Sequence, residues 1–169
     1  FLAEAVKAPA FVALVRTWHE SFLPLWEWWY TPITWLAVIT MAAGNLIALA
    51  QRNLKRLLAY SSIAHAGYLL VALTAGTLMG TWALLFYVFA YTLATMGSFG
   101  VLIALGYDGE RSDSVDDLAG LWTERPWLAV AMSVFMLALL GFPIFGGIGF
   151  FAKWQLVRAS LDSPLDRGT

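Results

Sequence analysis

The sequence has no cysteine, only two histidines (His19 and His65) and few charges: Asp, Glu, Lys and Arg make up 12% of its 169 residues. The missing thiols exclude disulfides, thiolate zinc sites and cysteine-ligated iron–sulfur clusters. Two histidines far apart in the chain are a poor basis for haem ligation, and no residues are spaced as metal ligands. A formal charge of −1 leaves no basic face for nucleic acid. No stretch is polar enough to make a soluble domain.

What fills the chain is apolar. With 60% hydrophobic residues and a mean hydropathy of +0.72, it reads as an all-α membrane protein. About five transmembrane helices of a larger bundle are expected, near 1–15, 32–50, 57–78, 81–106 and 127–160, the last one broken. The sequence opens on Phe1 with neither an initiator Met nor a basic leader, and residues 1–169 are expected to be an internal fragment of one transmembrane domain.

Along the chain, Pro9 interrupts the first span by removing an amide donor. Residues 18–35 are dense in tryptophan, which suits the headgroup region, and are expected to lie along the surface as a loop. Thr31-Pro32 reads as an N-cap with proline at the first helical position. Arg52, Lys55 and Arg56 make the 51–56 turn basic, and a chargeless turn at 76–80 separates the third and fourth spans. Tyr87, Tyr91, Thr95 and Ser98 fall on one face of the fourth span. The 107–126 loop is acidic, a solvated face, and Ser114-Val-Asp-Asp117 in it resembles a capping box ahead of a short amphipathic surface helix. Alternation places this loop and the 51–56 turn on one side. Five cations there against three opposite favour the cytoplasmic side of a bacterial inner membrane.

Four ionisable residues lie well inside spans: Glu4, Lys7, His65 and Lys153. A central charge costs about 2.5 to 3.5 kcal/mol on insertion scales, so each needs a partner or a wet cavity. Each also has a purely structural alternative. The lysines snorkel, Glu4 neutralises Lys7 three residues on, and His65 bonds Ser61, Ser62 or a backbone carbonyl. The fourth-span stripe is then helix-packing glue, and the break a plain kink. The functional reading is a relay. A lysine taken out of water gives up its proton more readily, and an imidazole, hydroxyls and bound water between two lysines pass protons along. The break, marked by Gly141, Pro143, Gly146 and Gly147, fits this reading, because unwound backbone at membrane depth is tolerated where it lines a cavity.

The run Asn53-Leu-Lys-Arg-Leu-Leu-Ala-Tyr-Ser-Ser-Ile-Ala-His-Ala-Gly-Tyr68 resembles the signature of the antiporter-like membrane subunits of NADH:quinone oxidoreductase (respiratory complex I), most closely the subunit N branch. The likeness extends to Phe1-Leu-Ala-Glu-Ala-Val-Lys7, Asp117-Leu-Ala-Gly-Leu-Trp122 and Gly149-Phe-Phe-Ala-Lys153. It implies a piece covering roughly the eighth to twelfth helices, with Lys7, His65 and Lys153 on the central hydrophilic axis. It also implies proton translocation coupled to quinone reduction elsewhere, with no catalytic redox residue here. Glu4, Ser61, Ser62, Tyr91 and Thr95 are the supporting polar groups. NADH, flavin, iron–sulfur clusters and quinone are expected on other subunits, and the implied partners are those subunits, the lipid bilayer, protons and bound water. Where the family usually has two adjacent prolines before the last lysine, this chain has the single Pro143, and Glu4 and Pro9 are also departures. A subunit of a multisubunit cation/proton antiporter, or a non-transporting scaffold, are the rival readings.

Overall fold

Every regular element among the described residues is helical, as an all-α membrane protein requires. The structure, a computed structural model, describes residues 2–18, 21, 23–106, 114–143 and 147–161. In order come α1 (Leu2–Thr17), α2 (Trp26–Leu49), α3 (Leu54–Thr74), α4 (Leu78–Gly106), the single turn α5 (Leu121–Glu124), α6 (Pro126–Leu140) and α7 (Ile148–Leu161). Three of them, at Glu27–Leu49, Leu54–Thr74 and Leu78–Gly106, are long and apolar enough to cross a membrane. α6 and α7, with 15 and 14 residues, are each about 22 Å long at about 1.5 Å per residue, too short to span alone. The predicted broken span is this pair in series.

α2 and α3 form a close antiparallel hairpin because glycine lets their backbones approach. A β-carbon on Gly44 would stand 2.5 Å from the Ala64 amide nitrogen, and one on Gly67 would meet the Met41 side chain at 2.5 Å and the Ala37 carbonyl at 3.1 Å. Small residues at a membrane helix interface act in this way, since lipid supplies no hydrophobic drive and contact must come from fit. The outer face of α2 leaves Trp35, Leu36, Ile39 and Leu46 exposed, a surface stable in hydrocarbon or against further helices. α4 is the hub, packing on α1, α3, α6 and α7. It buries small and polar residues together, with Leu84, Thr95 and Ser98 almost wholly enclosed.

Helix starts depart from the expected spans for local reasons. α2 begins at Trp26, not at Pro32, so Thr31 is no N-cap and Pro32 lies inside the helix. Much of the expected aromatic loop is therefore helical. Continuing the helix back to Trp26 places Trp29 edge-on to Trp18, ring centres 6.4 Å apart, and puts Glu27 in the first turn, where the helix dipole favours a negative charge. α3 starts at Leu54 because Asn53 caps it, its side-chain oxygen accepting from the Arg56 amide at 3.0 Å. α4 starts at Leu78 because the Thr77 hydroxyl accepts from the Gly80 amide at 3.1 Å, so the expected 76–80 turn is shorter.

The segment from Ser114 does not open an α-helix. The Ser114 hydroxyl accepts from Asp116, two residues on, at 3.2 Å, closing a turn that leads only to a 3-10 turn at Asp116–Leu118. Extended Ala119 ends that turn, Gly120 in the left-handed conformation leads into α5, and α5 is a single turn rather than an amphipathic surface helix. This segment lies against the 51–56 turn: the Val115 amide donates to the Arg52 carbonyl at 3.0 Å, and Asn53 and Ser114 form a bridge. The two are on one side, as alternation requires. Residues 107–113 of the acidic loop lie outside the described residues.

Candidate functional site

The helix break has a defined chemistry. Gly141, at φ +82°, ends α6 by turning the chain into a conformation that side chains disfavour. The Phe142 amide then donates to the Leu137 carbonyl at 3.0 Å and the Gly141 amide to the Ala138 carbonyl at 3.1 Å, the pair of bonds that makes a Schellman cap. This cap satisfies Leu137 and Ala138. It leaves the carbonyls of Leu139 and Leu140 without helical donors, at the end of the helix dipole that carries about half a negative charge.

Lys153 meets both. From α7 its Nζ donates to the Leu139 carbonyl at 3.0 Å and to the Leu140 carbonyl at 2.9 Å, and stands 5.1 Å from the centre of the Tyr68 ring. Among the described residues the ammonium is thus met by backbone and an aromatic face, not by a carboxylate. The lysine stem folds over Gly141, where a β-carbon would stand 3.0 Å from Cδ. Gly149 lets α7 begin hard against α6, since a β-carbon there would collide with the Ala138 carbonyl. Half-buried itself, the lysine caps the C-terminal end of α6.

His65 is buried on α3 and shares a 2.6 Å hydrogen bond through Nδ1 with the Tyr87 hydroxyl of α4. Tyr91, one turn further along α4, lies with its ring centre 4.7 Å from that of His65. The serines expected beside the imidazole turn back onto their own helix. Ser61 donates to the Leu58 carbonyl at 2.9 Å and Ser62 to the Ala59 carbonyl at 2.6 Å. Thr95 and Ser98 likewise donate to the carbonyls of Tyr91 and Ala94. A hydroxyl one turn from a carbonyl on its own helix reaches it more readily than a group across the bundle.

His65, Tyr87, Tyr91 and Lys153 line one cavity of about 10 Å³, closed by Leu139, Gly149 and Ala152. That volume is at the lower limit for a single water. A larger cavity of about 180 Å³ lies between α4, α6 and the break, but its lining, from Leu93 and Phe135 to Phe142 and Ile148, has no ionisable group. The polar chemistry is in the smaller one. Ser61, Ser62 and Thr95 are not part of its wall. Glu4 and Lys7 belong to α1, but their side chains, like Gly146 of the break, lie outside the described residues. Tyr68 and the two carbonyls were not read as site groups from sequence, and Tyr87 only as a member of the fourth-span stripe. A signal for Tyr68 existed: three residues after His65, it shares a helix face.

The family profile described as NADH:quinone oxidoreductase/Mrp antiporter, TM matches residues 1–166. NADH-quinone oxidoreductase subunit N of Gemmatimonas aurantiaca is 53% identical over 164 residues, covering 97% of this chain and 32% of the relative. Subunit N 2 of Roseiflexus castenholzii is 46% identical over 166 residues (94% and 33%), and subunit N of Salinibacter ruber 46% over 167 residues (98% and 33%). The chain spans about a third of the length of these curated relatives.

Proposed function

From the premise that the chain belongs to the NADH:quinone oxidoreductase/Mrp antiporter transmembrane family, we propose that it is the middle part of a subunit N that carries protons across a bacterial inner membrane. The energy comes from quinone reduction on other subunits, which hold the NADH, flavin, iron–sulfur and quinone sites. Lys153 and Lys7 are the relay bases, and His65 connects them. Tyr91, Ser61, Ser62 and Thr95 supply polar surface, and Glu4 balances Lys7. The 51–56 turn and the 107–126 loop face the cytoplasm.

One observation carries this reading: two ionisable side chains from different helices, His65 and Lys153, line the same small cavity beside a helix break. Unwound backbone at membrane depth costs several kcal/mol per bare polar group, and here a movable ammonium covers it. Such a lysine has two states. Protonated, it caps Leu139 and Leu140. Having lost its proton to a water in the cavity that it lines, it is neutral and free to leave those carbonyls, and the water hands the proton on to the imidazole.

The scaffold reading has its own support, since Lys153 and His65 both have protein partners and the cavity is small. The test is Lys153→Ala in the full-length subunit, assembled in the complex and reconstituted in vesicles. Proton uptake per NADH oxidised is expected to fall sharply while the complex still assembles. Unchanged uptake removes Lys153 from the path and favours the scaffold. Sodium-dependent transport would instead mark a cation/proton antiporter.

A further inference from the structure

The ammonium of Lys153 has three N–H donors, and two point to defined acceptors, the carbonyls of Leu139 and Leu140 at 3.0 and 2.9 Å. The remaining side is taken by the ring of Tyr68, whose centre is 5.1 Å from Nζ, inside the range of about 6 Å in which a cation is drawn to an aromatic face. The same ring lies 6.0 Å from that of His65 and 6.2 Å from that of Tyr87. Tyr68 therefore touches the two ionisable groups of the site from one position. It is half-buried on α3, three residues after His65, so one rigid helix face presents imidazole and ring together.

We propose that Tyr68 is a positioning residue for Lys153, holding the protonated amine at the helix break through the face of its ring. This role rests on the proton-carrying reading given above. The attraction exists only while the amine carries its proton; a neutral amine has no charge for the ring quadrupole to hold and is free to leave the carbonyls. Tyr68 thus ties the position of the lysine to its protonation state, which is what separates a relay step from a fixed cap. The chemistry belongs to the π-face, not to the phenol hydroxyl.

The experiment separates face from hydroxyl. In the assembled complex, Tyr68 is replaced by Phe, by Leu, and by phenylalanines carrying one, two and three ring fluorines, which weaken the π-face with little change of shape. Assembly is checked on native gels, and NADH-driven proton uptake is measured in vesicles. Phe is expected to pump like Tyr. Uptake should then fall stepwise with fluorination, to about a tenfold loss for the trifluorinated ring, as expected of a desolvated cation–aromatic contact. Leu should be at least as impaired. A flat response to fluorination with Lys153→Ala still defective overturns the role of Tyr68 alone. Phe as poor as Leu overturns it too, by moving the function to the hydroxyl. Unaffected pumping in Lys153→Ala overturns the relay, and this role with it.

Discussion

Gly149→Ala adds one methyl group at the point where α7 starts against α6. The new β-carbon would occupy the space of the Ala138 carbonyl oxygen, a backbone atom that cannot rotate away, so α7 has to move by an ångström or more. Lys153 is one turn further along α7, and its bonds to Leu139 and Leu140 are 3.0 and 2.9 Å long; the same shift takes both beyond hydrogen-bonding range. Overpacking of this kind costs about 1–3 kcal/mol, and each lost bond from a charged donor about 1.5–3 kcal/mol. The sum is an upper bound, because the side chain can follow part of the way. For function, a misplacement of about 1 Å is enough for about a hundredfold loss. We expect Gly149→Ala to lower the thermal midpoint of the assembled complex and to reduce proton uptake far more than NADH oxidation measured with an uncoupler. Gly100→Ala is the control, since a β-carbon there meets nothing within 4 Å and alanine favours the helix by about 0.5–1 kcal/mol. If Gly149→Ala behaved like Gly100→Ala in both assays, the claim that close helix contact sets the lysine would be wrong.

Gly44→Leu should prise α2 from α3, because the Ala64 backbone leaves no room for even a β-carbon; the complex is expected to assemble poorly on native gels, and normal assembly would contradict the hairpin packing. Asn53→Ala removes the cap of α3 and should cost about 1 kcal/mol, seen as a modest fall in the thermal midpoint with pumping retained, whereas Asn53→Asp should cost little.

The membrane class was legible because composition alone decides it: a chain this apolar and this poor in charge buries its backbone in helices or not at all. The broken last span was legible for a local reason, since Gly141 and Pro143 cannot continue a helix. Helix starts were less so. Pro32 marks a helix start in most sequences, but here contacts of the preceding aromatic turn outweigh one missing hydrogen bond. Thr77 and Asn53 were unread caps, and the Ser114 hydroxyl accepts from Asp116, two residues on, where the chain makes only a 3-10 turn.

Of the site, the sequence by itself determined which groups are out of place in a membrane: an imidazole and lysines in apolar runs are visible as soon as charge is set against hydropathy. It could not say which groups answer them. Ser61, Ser62 and Thr95 lie near in sequence or on the expected faces, yet their hydroxyls donate to carbonyls of their own helices, while Tyr87 and Tyr68 reach His65 and Lys153 across helix boundaries. The partners of Lys153 are backbone carbonyls, which no residue letter records. They exist as free acceptors only because α6 stops at Gly141, and they are within reach only because Gly149 lets α7 close on α6. Burial of charge is a property of the chain; the group that compensates it depends on how helices pack, and only the tertiary structure decides that.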